Sequence, residues 1–423
     1  MINILKRIIL ENQELISSKK LVQRNYYIPE TTNITVLTGI RRGGKTYTLY
    51  ELAQTYKPEL ILFLDFEDER LVTLNTMSNY DIIIDSYKSL YPKLEPVLFF
   101  DEIQNLSNWH LFLKRLHVKG YRIFVTGSNA NMISREIATF LKGRSLETTI
   151  YPFSFSEFLQ LKNIEFNFKD KIINQPEIVN YFTEYIQFGG FPEIIQVAEN
   201  DKRAVAKNIY NLLFYRDLVV KYDKNEYLLK LVVNKIAENI TKEFSITSLA
   251  NKIRVMYKAS VPTITDYFNI LPEPFLTTNI YPFRESFIQR ETKRKTYLAD
   301  NSFIFLTKVS PDNARLFENL VFNYLKRKYP EVFYYKTSNN LEVDFYIHDK
   351  EKQIRQLIQA SYALESVSTY DREINSLLKA MDELKLQEGI IYTFNQTNEV
   401  IVEQKTIRIM PLWYEMLNDT EVL

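Results

Sequence analysis

The chain has 423 residues, 46% hydrophobic and 25% charged, a balance that fits about two to four folded domains and excludes a disordered chain. With 53 Lys and Arg against 52 Asp and Glu, the net charge is only +1, so any nucleic-acid contact must come from a local patch. The absence of cysteine excludes disulfides, thiolate metal sites and a cysteine nucleophile, and three histidines (His110, His117, His348) supply a multi-histidine metal site poorly.

Residues 1–30 open with MINILKRIILENQELI, whose polar and acidic residues interrupt the apolar ones. This predicts an amphipathic helix ending near Pro29 and not a signal peptide. Apolar runs such as Leu60–Leu64 and Val97–Phe100 fall far short of the ~20 residues that span a bilayer, so no membrane association and a cytoplasmic location are expected. Buried strands are predicted at Asn33–Gly39, Leu60–Phe66, Pro96–Ile103, Tyr121–Asn129 and Ser145–Phe153, with a helix over Lys45–Tyr56 and helical patterns between most of the strands. That alternation predicts an α/β fold with a parallel sheet covered on both faces. Residues 153–240 read as mostly helical, broken by FGGFPEII (Phe188–Ile195). Residues 241–300 carry two short helices and a β-like pair. Residues 301–423 return to α/β, with a helix at Arg315–Lys328, strands at Val332–Lys336, Glu342–Ile347 and Gln356–Tyr362, and a helix at Tyr370–Leu384.

Gly39-Ile40-Arg41-Arg42-Gly43-Gly44-Lys45-Thr46 matches G-x-x-x-x-G-K-[ST] in full, between a predicted strand and a predicted helix. Such a loop wraps phosphates with backbone N–H groups at a helix N-terminus. Lys45 is expected to reach the β- and γ-phosphates, Thr46 to offer its hydroxyl to Mg²⁺, and Tyr47 to follow directly at the nucleotide site. Phe99-Phe100-Asp101-Glu102 supplies a strand ending in two carboxylates. Asp101 is assigned to Mg²⁺ and Glu102 to activation of the attacking water. If the third and fourth strands flank the P-loop strand, Ser128 or Asn129 lies near the γ-phosphate. Arg135 and Arg144 are candidates for an arginine finger, in cis or from a neighbouring copy, and Gly143 favours Arg144.

LTGIRRGGKTYTLYEL, VLFFDEIQNL, FVTGSNANMISREIATFLKGRSLETTIYPFSFSEFL and FGGFPEII together resemble the prokaryotic AAA-type ATPases with a fused C-terminal domain of unknown function, grouped near STAND-like and archaeal-type ATPases. The resemblance implies a P-loop ATPase core (1–152), a helical region (153–240), a winged-helix-like domain (241–300) and a C-terminal PD-(D/E)xK, restriction-endonuclease-like domain (301–423). Gly43 stands where relatives often carry a small aliphatic residue; Arg41 and Arg42 are typical of the group, as phosphate or partner contacts or as a solvated pair. The choice of ATP over GTP rests on the resemblance.

In the middle region, Ser260 is a candidate N-cap with Pro262 in the first turn, and Arg284–Lys295 forms a modest basic stretch. The helix TITDYFNIL has no Lys or Arg, so a DNA contact and a protein or interdomain contact both stay open. In the C-terminal region, Glu318 on a helix with Glu342 and Asp344 two apart on a strand can converge. The arrangement is similar to a PD-(D/E)xK nuclease, except that Gln359 and Ser361 occupy the expected Glu and Lys positions; Lys352 and Arg355 lie nearby as substitutes. The expected function is a Mg²⁺-dependent ATPase switch acting on a DNA or protein partner, open to homo-oligomerisation. The alternatives are an ATP-gated nuclease and a nucleotide-binding scaffold with little turnover.

Overall fold

A computed structural model describes residues 1–29, 31–76, 80–127, 143–164, 175–283, 293–307 and 312–418. The chain forms two compact units, Met1–Pro152 and Phe153–Val422. Among the described residues, no helix is long and apolar enough to cross a membrane.

The first unit holds β1 (Ile34–Thr38), β2 (Ile61–Asp65), β3 (Val97–Asp101), β4 (Ile123–Thr126) and β5 (Ser145–Thr149), with helices α1 (Ile2–Ser18), α2 (Lys45–Ala53), α3 (Asp81–Leu90) and α4 (Trp109–Val118). The strands are all parallel, in the order β2-β3-β4-β1-β5. Continuous apolar runs suit strands covered on both faces. Leu5, Ile8 and Ile9 of α1 join residues of α3 and α4 on one face, and Leu49 and Ala53 of α2 lie on the other. The P-loop strand β1 is therefore flanked by the fourth and fifth strands, so the condition that the third and fourth flank it is not met.

The first helix ends at Ser18, short of the expected Pro29, and residues 19–29 have no regular structure. Tertiary partners compete there: the Arg24 N–H donates to Glu51 and its guanidinium to the carbonyl of Tyr151 (2.7 Å). The helix also covers an exposed sheet edge. Asn12 and Gln13 donate side-chain amide hydrogens to the carbonyls of Phe63 and Ile61 on the edge strand β2, at 3.0 and 2.8 Å. Edge carbonyls satisfied in this way cannot recruit another strand.

The second unit begins with helices α5 (Phe155–Leu161), α6 (Gln175–Phe188), α7 (Pro192–Ile195), α8 (Glu199–Leu212), continued as a π-helical stretch Leu213–Val220, and α9 (Glu226–Glu238). The FGGFP break between α6 and α7 has a specific cause. Gly189 has φ +74°, and a Cβ there would lie 1.7 Å from Oδ1 of Asp300. The Gly190 N–H donates to the other oxygen of Asp300 at 2.8 Å. A buried carboxylate from 110 residues along the chain thus takes the place of a side chain, and its burial raises its pKa.

Helices α10 (Ile246–Arg254) and α11 (Val261–Asn269) follow, then the antiparallel pair β6 (Thr277–Ile280) and β7 (Lys295–Leu298). Ser260 caps α11 as expected, its hydroxyl accepting from the Thr263 N–H at 3.1 Å. Helix α12 (Asn313–Lys328) grips β7 through Asn319, whose amide donates to the carbonyl and accepts from the N–H of Leu298. A six-stranded mixed sheet completes the unit: β8 (Phe333–Lys336), β9 (Glu342–Asp349), β10 (Ile354–Ala360), β11 (Glu388–Thr393), β12 (Asn398–Val402) and β13 (Lys405–Pro411), in the order β12-β13-β11-β10-β9-β8. Helix α13 (Val367–Leu384) packs on it through Leu377, Ala380 and Met381; α14 (Leu412–Asn418) ends the described chain.

Candidate nucleotide site

The loop between β1 and α2 is shaped by its neighbours. Gly39 has φ +144°, and a Cβ there would fall 2.0 Å from the carbonyl oxygen of Ile150, just past β5. Only glycine lets the chain leave the strand so close to that backbone. The N–H of Gly43 closes a turn onto the carbonyl of Ile40 (3.1 Å), and α2 begins at Lys45. The Lys45 ammonium is buried inside the loop, donating to the carbonyls of Gly39 and Ile40 at 3.0 and 3.1 Å. Ile40 is buried, Arg41 is nearly so and lies 3.6 Å from Glu67, Arg42 is exposed at φ +63°, and Tyr47 is 55% exposed with the Lys19 ammonium over its ring.

Thr46 connects the loop to β3. Its hydroxyl donates to Oδ2 of Asp101 at 2.6 Å, while the hydroxyl of Thr126, at the end of β4, donates to Oδ1. The Thr126 oxygen also accepts the N–H of Glu102 at 2.9 Å. One hydroxyl thus ties Asp101 at the end of β3 and Glu102 just after it to the strand lying between β3 and β1. Burial pushes the Asp101 carboxyl up to about 6, against the lowering effect of its two threonine donors. Glu102 takes the left-handed conformation (φ +47°), a strained backbone for a glutamate. Its carboxylate accepts from the Gln104 amide. Asp65 of β2 stands opposite Asp101 in register, and burial raises its carboxyl as well.

The loop, the ammonium at its centre and the Thr46–Asp101 pair fit a nucleotide triphosphate with a divalent cation. Sequence reasoning passed over Thr126 and Asp65. Ser128 and Asn129 lie outside the described residues, as does Arg135. The Arg144 carbonyl accepts from the N–H of Ile34, the first residue of β1, whereas the loop leaves the far end of that strand. Five parallel residues put its backbone about 16 Å from the P-loop, so a finger in cis is poorly placed.

Residues 31–159 match the model of an AAA domain, and residues 179–313 and 314–414 match two domains of unknown function, DUF8612 and DUF4143. Over 96% of its length the chain is 34% identical to the uncharacterized protein MJ1544 of Methanocaldococcus jannaschii, covering 94% of that protein. The chain belongs to the family of this archaeal protein. An uncharacterized protein of Haemophilus influenzae is 27% identical over 83% of the chain and 95% of its own length. The Walker-type ATPase PABY2304 of Pyrococcus abyssi aligns with 71% of the chain and 95% of its own at a TM-score of 0.41 and 14% identity. By its domain matches this chain joins an AAA-type P-loop domain, which implies ATP and a divalent cation, to two further domains of unknown function.

The second unit brings Glu318, Glu342 and Asp344 together, around a residue that sequence reasoning did not single out. The Lys295 ammonium, on β7, lies 3.1 Å from Glu318, 2.8 Å from Glu342 and 3.1 Å from Asp344. Gln359 accepts from the Asp344 N–H (2.8 Å) and donates to Glu373 (2.7 Å); Ser361 donates to the Ala363 carbonyl. Neither suggested substitute for the missing lysine supplies the charge. Lys352 lies in the β9–β10 turn, and Arg355 donates to the Tyr346 hydroxyl and the Leu384 carbonyl. Of the basic stretch Arg284–Lys295, residues 284–292 lie outside the described residues. Lys293 pairs with Glu243, Arg294 is buried against Phe268 and Tyr281, and Lys295 belongs to this cluster.

Proposed function

We propose that the chain is a Mg²⁺-dependent ATPase of the AAA type, a switch whose nucleotide state is passed to a nucleic-acid or protein partner. The observation that carries the reading is the clamp on Asp101: a P-loop threonine on one oxygen and a β4 threonine on the other. Backbone N–H groups of residues 39–46 cradle the phosphates, and Lys45 exchanges its two carbonyl partners for β- and γ-oxygens. Thr46 and Asp101 would hold the metal ion, which when bound would offset the charge on the phosphates. Glu102, fixed through its N–H by Thr126, orients water for in-line attack and takes its proton. An arginine finger, if Arg144 supplies it, reaches a neighbouring copy's site and requires a homo-oligomer.

Phosphate release tests the reading. Native chain should hydrolyse ATP with Mg²⁺; Lys45→Ala should lose binding and turnover, and Glu102→Gln should bind and not turn over. Equal, negligible rates in all three would reject the ATPase and leave a nucleotide-binding scaffold.

For the C-terminal segment 301–423 the proposed ancestry is the PD-(D/E)xK nuclease fold, supported by the convergence of Glu318, Glu342 and Asp344 beside a mixed sheet. Segments 153–240 and 241–300 act in this proposal as the helical and winged-helix-like parts that carry the nucleotide signal.

A further inference from the structure

The acidic cluster of the C-terminal sheet holds a cation of its own. Lys295 is 1% exposed, and its three N–H donors meet three carboxylate oxygens from three different side chains. No donor is left to reach a phosphate. The surroundings complete the fit. Tyr297 donates to the Glu318 oxygen that also meets Lys295, the Ala360 N–H donates to the second oxygen of Asp344, and Lys336 faces the second oxygen of Glu342 at 3.7 Å. Spacings of 2.8–3.1 Å are those of an ammonium hydrogen-bonded to carboxylates. Among the described residues, no three His, Asp or Glu side chains stand in metal-holding geometry.

We infer that Glu318, Glu342 and Asp344 form a cation site permanently filled by Lys295, so that the ammonium of the β6–β7 hairpin stands in for a divalent ion and the domain does not cleave nucleic acid by metal-activated water. Each carboxylate belongs to an element the hairpin must dock on: Glu318 to α12, Glu342 and Asp344 to β9. The plug therefore also fastens the hairpin to the sheet. The inference stands on these four side chains and not on the proposed ancestry, and its test uses no nucleotide, so failure of the ATPase reading leaves it untouched.

The test is a Mn²⁺ titration of the full chain, read as thermal midpoint and bound Mn²⁺ per chain. Native protein and Asp344→Asn should respond alike, any response then coming from elsewhere, including the P-loop. Lys295→Ala should gain one bound Mn²⁺ and a rise in midpoint, and Lys295→Ala/Asp344→Asn should lose both, since a ligand that binds only the folded state stabilises it. A Lys295→Ala chain that folds only when Mn²⁺ is added supports the inference equally. A native Mn²⁺ site that Asp344→Asn abolishes, or Asp344-dependent DNA cleavage, overturns it, as does a folded Lys295→Ala chain with no added site. The native comparison decides the matter even if Lys295→Ala does not fold.

Discussion

The hydroxyl of Thr126 donates to the carboxylate of Asp101 across the β3–β4 ladder and accepts the N–H of Glu102 from the same strand end. A single oxygen so anchors the Asp101 carboxylate and the Glu102 backbone. Thr126→Val keeps the shape and deletes both bonds. We expect a stability loss of about 1–2 kcal/mol, the cost of leaving buried partners unmatched. We also expect kcat for ATP to fall far more than ATP affinity, because the phosphate loop is untouched. Thr126→Ser should restore turnover. Equal losses in kcat and affinity would mean that the hydroxyl only supports the fold.

Gly39→Ala places a methyl group against the Ile150 carbonyl. The loop must move or β5 must part from β1, and either disrupts the phosphate cradle. Isothermal titration should show ATP binding weakened at least tenfold, roughly 1.4 kcal/mol or more. Unchanged affinity would refute the role given to this close approach.

Gly189→Ala should be among the most damaging small substitutions in the second unit. The new methyl overlaps the Asp300 carboxylate, and the backbone is left-handed as well. Overpacking and the conformational penalty together come to about 3 kcal/mol. Urea unfolding of the full chain should show the second unit's transition moving to lower denaturant.

Stability should carry a pH signature from Glu318. Burial, then the Asp344 charge, raises its carboxyl against the pull of Lys295 and the Tyr297 hydroxyl. A folded value above the unfolded one means that the native state binds more protons in the window between them, so stability rises as pH falls from the raised value toward the ordinary one near 4.5. Glu318→Gln, permanently neutral and still able to accept from Lys295, should flatten that rise in thermal midpoint. An identical slope in both proteins would assign it elsewhere. Lys295 adds nothing to this window: burial opposes its charge, but the three carboxylates hold its pKa well above 10.5, so its contribution is lost only in strong alkali.

The P-loop half was legible because its signals are local. ITVLT is β-branched and leucine-rich and fully buried as β1, and the glycine-rich loop, the lysine and the acid-tipped strand lie within short stretches of sequence. What could not be read depends on pairing between distant segments. Placing β4 between β1 and β3 makes Thr126 a partner of Asp101, whereas in sequence it is one polar residue at a strand end. Lys295 was hidden for the same reason. It lies 23 residues before Glu318 and 49 before Asp344, and a lysine on a short strand reads as a surface charge. Residues 19–29 failed differently: their composition permitted a helix, but hydrogen bonds from Arg24 to Glu51 and Tyr151 tie them to the first unit without regular structure.

The interlock of Gly189 with Asp300 governs how the protein can be taken apart. A recombinant piece starting at residue 241 would carry Asp300 as a buried anion stripped of the Gly190 N–H that satisfies it, and one ending at 240 would leave the glycine pair facing a void. Limited proteolysis should therefore leave surviving cores that begin before 189 and end after 300. Any attempt to express the helical and hairpin segments separately should yield insoluble or unfolded products.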